Sequence, residues 1–199
     1  VMVSDVRQLN SVTNPKTVTT EARFENVDAN FRPLERLRSV EFLRDWGLPF
    51  DVGYATEQLP GLTISLADTR NQLLQYDFSG YKRLGQYNGN RHTLNHSTTI
   101  KGFQLKDRFQ LTQFDGVNMK GKFLRPSVAV SKMFSKLHNY ELGASFDLEH
   151  NEVKSSATDT LLPISFSFSD WRAFIRSDVA NQNRWSFSWF RRTNQYPLA

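Results

Sequence analysis

The chain has 199 residues, enough to bury a real core, and no cysteine, which excludes disulfide frameworks, thiolate metal sites and cysteine nucleophiles. Lys and Arg total 25 against 20 Asp and Glu, giving a formal charge of +5, a mild excess that fits contact with anionic sugars, lipid headgroups or nucleic acid without requiring any of them. No run of about 18 apolar residues occurs, which excludes a transmembrane helix but not a transmembrane β-barrel, whose alternating strands read as polar.

Sixteen Phe, six Tyr and four Trp, among abundant Ser, Thr and Asn, suit a β-rich surface protein. The sequence starts at Val1 without an initiator Met or a signal peptide, and so reads as a processed protein or an excised fragment. Thr20, Ala22 and Phe24 alternate with charged neighbours and predict a strand, after a turn over Asn10 to Lys16. Between 31 and 47 two patterns compete. Pro33, the three-residue spacing of Leu34, Leu37, Val40 and Leu43, and Gly47 favour a short helix near 33–46; Val40, Phe42 and Trp46 also fit a strand. The charged run Glu35, Arg36, Arg38, Glu41, Arg44 and Asp45 reads as a solvated face.

Pro60-Gly61 predicts a turn, and Leu62, Ile64 and Leu66 a short strand. From about Leu73 the rhythm is steady. Leu74, Tyr76, Phe78 and Gly80 share one face, and Asn88-Gly89-Asn90 predicts a hairpin turn. Leu94, His96, Thr98 and Ile100 follow, and a slip of phase at Gly102-Phe103 predicts a β-bulge. Asp115-Gly116 predicts another turn, and Leu124, Val128, Val130 and Phe134 another strand, interrupted by Lys132. Tyr140 to His150 alternates without fault, with Leu142, Phe146 and Leu148 on a face expected to be shielded from water or turned to lipid, and Glu141 and Asp147 opposite. A polar link over Asn151 to Thr160 leads to Leu162, Ile164, Phe166 and Phe168, read as one apolar face of the next strand. Trp185, Phe187 and Trp189 define a last strand.

Chemistry is sparse. His92 and His96 would lie on one strand face ~13 Å apart, too far to share a metal ion. Asp147, Glu149, His150 and Glu152 are the densest acid–histidine group, but their spacing is that of a strand's polar face. No HExxH, P-loop or GxSxG motif occurs. Asn95-His-Ser97 is formally a glycosylation sequon. The C-terminal aromatics and arginines are the better candidates for ligand contact, because aromatic faces stack on sugars and arginine pairs with phosphates or carboxylates. They are Trp171, Arg172, Arg176, Trp185, Trp189, Arg191, Arg192 and Tyr196, with Arg184 nearby.

Three phrases, Phe31 to Trp46 (FRPLERLRSVEFLRDW), Phe146 to Asn151 (FDLEHN) and Trp185 to Arg192 (WSFSWFRR), carry a resemblance. The chain resembles segments of large, poorly characterised surface or outer-membrane β-proteins of Bacteroidota-type bacteria. The resemblance implies an exported protein of the outer membrane or cell surface, part of something longer, and brings no active site with it.

The expected architecture is all-β: an antiparallel meander of about eight to ten strands over residues 1–199, as part of an outer-membrane-type barrel or as a β-sandwich. Residues 1–70 read as a less regular lead-in and 71–199 as regular strands. The expected function is a non-catalytic structural or scaffold protein of the bacterial envelope. A soluble binding module for glycan or another anionic ligand is the alternative, and a glycan-active enzyme a remote one. No cofactor and no metal are expected. Expected partners are envelope proteins, glycans or lipid headgroups rather than nucleic acid, and a membrane would be entered only through strands.

Overall fold

The computed structural model describes residues 1–9, 15–31, 39–48, 55–69, 72–135, 139–177 and 184–196. Ten strands form one antiparallel sheet in the order in which they occur in the chain: β1 (Met2–Leu9), β2 (Lys16–Val27), β3 (Glu57–Asp68), β4 (Leu73–Arg83), β5 (Tyr87–Ile100), β6 (Phe103–Gly116), β7 (Met119–Phe134), β8 (Tyr140–Ser155), β9 (Phe166–Ser177) and β10 (Ser186–Gln195). The expected all-β meander is therefore what forms. Strands β1 and β10 do not pair, so the sheet is open.

The one helix among the described residues, α1 (Val40–Asp45), decides the competition between 31 and 47 for the helix, over a shorter span than expected. Residues 32–38, with Pro33, Leu34 and Leu37, lie outside the described residues. Ser39 caps α1 by accepting from the Phe42 amide at 3.1 Å, and Gly47, at φ +64°, ends it while Leu48 donates back to the Leu43 carbonyl at 2.8 Å.

Three expected turns and one expected bulge give way. Asn88-Gly89-Asn90 lies inside β5, and the hairpin turn is instead made at Leu84-Gly85-Gln86, with Gly85 at φ +73°. Gly89 serves packing: a Cβ there would come within 2.9 Å of the Tyr87 ring and 3.1 Å of the Trp46 ring. Pro60-Gly61 lies inside β3, where the ladder to β4 passes directly from Gln58↔Lys82 to Gly61↔Ser79. Proline has no N–H to offer that ladder, and the strand continues past it. The slip at Gly102-Phe103 is a two-residue hairpin. Lys101 and Gly102 both have positive φ, 50° and 81°, and join Ile100 to Phe103, so a predicted bulge within one strand is the turn between two. Asp115-Gly116 closes β6, and the turn follows at 117–118.

The link after β8 also differs. Strand β8 runs on to Ser155, and β9 starts only at Phe166, because Leu162 and Ser165 turn back onto Val153. The Leu162 amide donates to the Val153 carbonyl at 2.8 Å, and the Ser165 hydroxyl accepts from the Val153 amide at 2.9 Å and donates to its carbonyl at 3.0 Å.

The core is aromatic and lies at one end of one face. Trp46, just after the helix, packs with Tyr81, Tyr87, Phe114, Phe123 and Val153, contributed by β4 to β8, and Leu43 of the helix is also buried. Phe42 meets Tyr81 edge-on at 5.1 Å, and Phe114 meets Phe123 at 5.3 Å, geometries that suit the ring quadrupoles. Burial raises the need for hydrogen-bond partners: the Tyr87 hydroxyl donates to the Trp46 carbonyl, and Tyr81 donates to Glu57 at 2.8 Å.

Candidate functional site

Cross-strand register sorts the side chains into two faces, since residues directly opposite one another point the same way. The helix face carries the core at one end and mainly polar groups elsewhere, apart from the phenylalanines of β9 and Phe190 of β10. Along one row it reads Asp77, Thr93, Gln110, Arg125 and Glu149. The other, open face reads Leu62, Phe78, His92, Leu111 and Leu124 along a comparable row.

Exposure shows which face is covered. Thr112 and Gln110 on the helix face are 0% and 2% exposed, while Ile64, Phe109, Leu142 and Trp171 on the open face are 41%, 46%, 51% and 52% exposed. The described residues place no second sheet over the open face. The Tyr140–His150 register was thus divided correctly, but Leu142 is not shielded by protein, and Glu141, on the helix face, is the more enclosed of the two.

The helix face holds a network that the sequence had not singled out. Asp45, at the end of α1, accepts from Arg125 at 3.0 Å and Arg91 at 3.5 Å, and Arg125 reaches Glu149 at 2.9 Å with its other arm. Arg91 also lies over the Trp46 ring, 5.2 Å from its centroid. Asp45 had been read as part of a solvated charged run; in the fold it fastens the helix to the sheet. A groove of about 400 Å³ runs beside this network, lined by Arg44, Arg108, Arg125 and Arg192 and by Asp45, Asp147, Glu149 and Asp170. Four cations against four anions leave no net charge to attract an ion of either sign.

The candidate ligand residues at the C-terminus are divided between the faces. Trp171, Trp189 and Arg191 are on the open face, while Arg172, Arg176 and Arg192 are on the helix face. Arg192 makes a two-pronged pair with Asp170 at 2.7 and 2.5 Å and lies over Phe168, and Arg176 pairs with Glu141 at 2.7 Å. Arg172 rests over the Phe190 ring. Trp185, just before β10, lies tilted against Tyr140, and Tyr196, 71% exposed, borders a groove with His150 and Phe166. The eight residues do not form one site. Phe166 and Phe168, expected on an apolar face, lie on the helix face opposite Asn151 and Glu149, because the turn at Ser165 resets the phase.

His92 and His96 are engaged with neighbours. His92 Nδ1 is 2.7 Å from the Tyr76 hydroxyl, and His96 Nδ1 is 3.1 Å from Asp107. Among the described residues no group of three His, Asp or Glu side chains could hold a metal ion, and no helix is long and apolar enough to cross a membrane. No protein-family model, no curated protein and no solved structure matches the chain.

Proposed function

We propose that this chain forms part of the wall of an outer-membrane-type β-barrel in a bacterial envelope, with a structural rather than a catalytic role. One observation carries the reading: the open face is apolar and no described residue covers it, whereas the helix face, outside the aromatic core, the phenylalanines of β9 and Phe190 of β10, is polar. A water-soluble sheet buries its apolar face. A barrel in a bilayer reverses this, with apolar residues meeting lipid and polar ones lining the interior. The bacterial setting rests on the three resembling phrases. An exported location and envelope proteins as neighbours along the open sheet edges follow from the same reading.

Single-tryptophan variants reconstituted with brominated phospholipids test it. Bromine in the acyl chains should quench Trp189 and leave Trp46, enclosed in the core, unquenched. A protein that stays monodisperse in buffer without detergent, with Trp189 unaffected by lipid, would overturn the proposal and leave the soluble binding module.

A further inference from the structure

The apolar region of the open face does not follow the rows of the ladder. It climbs across them. On β3 and β4 the last polar positions before the apolar run are Gln58 and Lys82, whose row crosses β7 at Lys120. On β5, β6 and β7 the same boundary is at Asn90, Gln113 and Lys122, one outward-facing position further along. On β8 it reaches His150, on β9 Ser169 and on β10 Arg191, each a further position along. The row of Arg191 passes through Trp171 and Phe146 to cross β7 at Val128.

The boundary therefore rises from the level of Lys120 to that of Val128, eight residues, over the seven spacings from β3 to β10. At about 3.3 Å per residue and about 4.8 Å between strands this is a rise of about 26 Å over about 34 Å, an angle of about 40°. Strands of membrane barrels tilt by about 35–45° from the bilayer normal, and a flat slab of hydrocarbon crossing such strands cuts their rows at that same angle. A patch apolar for some unrelated reason has no cause to do so.

We infer that a phospholipid bilayer covers the open face obliquely to the ladder, along this boundary, with the strands tilted by about 40°. The inference rests on the barrel reading and deepens it by naming the partner surface and its position. The thickness agrees independently. On β7 the outward positions Leu124, Pro126, Val128 and Val130 lie between Lys122 and Lys132. Those ten residues span ~33 Å along the strand and, at that tilt, ~26 Å along the normal, against an apolar band of about 25 Å in such barrels. Lys132 lies over the rings of Phe103, at 4.3 Å, and Phe134, as a lysine does where it reaches from an apolar surface towards headgroups. Arg191, with Trp171 and Trp189 beside it, falls on the opposite boundary, where it meets phosphate. Two ionisable pairs stand inside the band, His92 with Tyr76 and His96 with Asp107, the members of each satisfying one another.

The chain's lack of cysteine allows single-cysteine labelling with an environment-sensitive fluorophore in reconstituted vesicles. Leu62 and Gln195 share one row, and Leu66 and Arg191 share another; Asp68 and Trp189 lie two residues beyond that second pair. The oblique bilayer places Leu62→Cys and Trp189→Cys in hydrocarbon, quenched by acyl-chain nitroxides, and Gln195→Cys and Asp68→Cys in water, quenched by iodide. This crossed pattern supports the inference. Equal depth within each pair, with lipid quenching present, overturns the oblique register while leaving the barrel reading. Four labels quenched only by iodide overturn both.

Discussion

Asp45 makes the contacts on which the seating of the helix depends, since it is the acceptor for Arg125 and Arg91 across 80 and 46 residues of sequence. Asp45→Asn removes the charge and leaves two partly enclosed guanidinium groups with less compensation, a loss of about 1–3 kcal/mol measured by denaturant titration in detergent micelles. Asp5→Asn breaks the exposed pair with Arg7 and should change stability by no more than about 0.5 kcal/mol. Tyr87→Phe withdraws a buried donor from the Trp46 carbonyl, a cost of about 1–3 kcal/mol in the same assay. At the turn after β8, Lys120 bonds Asp159 at 3.0 Å and holds its carboxyl below the usual aspartate range. A depressed folded pKa means that this contact is present above the ordinary carboxylate value and is lost as pH falls through the lower one. The carboxyl carbon shift of Asp159 should therefore titrate below that range, and Lys120→Met should return it there.

At the scale of elements, β7 and β8 separate what sequence can and cannot show. Alternation along Tyr140 to His150 divides the residues into two sets, because the strand period is two, but it carries no information about which set meets protein. Phe123 and Phe146 look equivalent in sequence. Phe123 is 5% exposed in the core, whereas Phe146 sits on the open face with Trp171 at 4.5 Å. Phe123→Ala should cost about 3–5 kcal/mol. Phe146→Ala should cost about 1 kcal/mol, the worth of one aromatic pair. Equal losses by denaturation in micelles would refute the sidedness. Gly121→Ala, whose Cβ would meet the Phe114 ring at 2.6 Å, should lose about 1–3 kcal/mol through overpacking. Turns were poorly legible: Lys101-Gly102, where both residues take positive φ, read as a bulge, and composition alone chose Asn88-Gly89-Asn90 over Gly85. Gly89 is selected by the rings of Tyr87 and Trp46 and not by a bend, and Trp46 is a neighbour far along the chain. The Asp45 network was illegible for the same reason.

For the molecule as a whole, the strand content, the meander and the one short helix could be read from periodicity and from the want of helix-sized segments after residue 70. The polarity of the sheet could not, and it is what the functional proposal depends on. Every strand also pairs only with the strand before it and the strand after it. This has a consequence for the order of assembly. A sheet of nearest neighbours needs no distant segment to arrive before an earlier one can dock, so loop-closure entropy stays small at every step except the link from β2 to β3. Each new hairpin can add to the edge just formed, in the sequence in which the chain emerges. Ending the chain after Ser155 should consequently leave β1 to β8 paired in an unchanged register, as a narrower sheet, and hydrogen exchange on that shortened chain would show protection through β7 and fraying only at β8. A growing edge that is always the youngest strand lets the order of delivery to the membrane, rather than search, set the pace of folding.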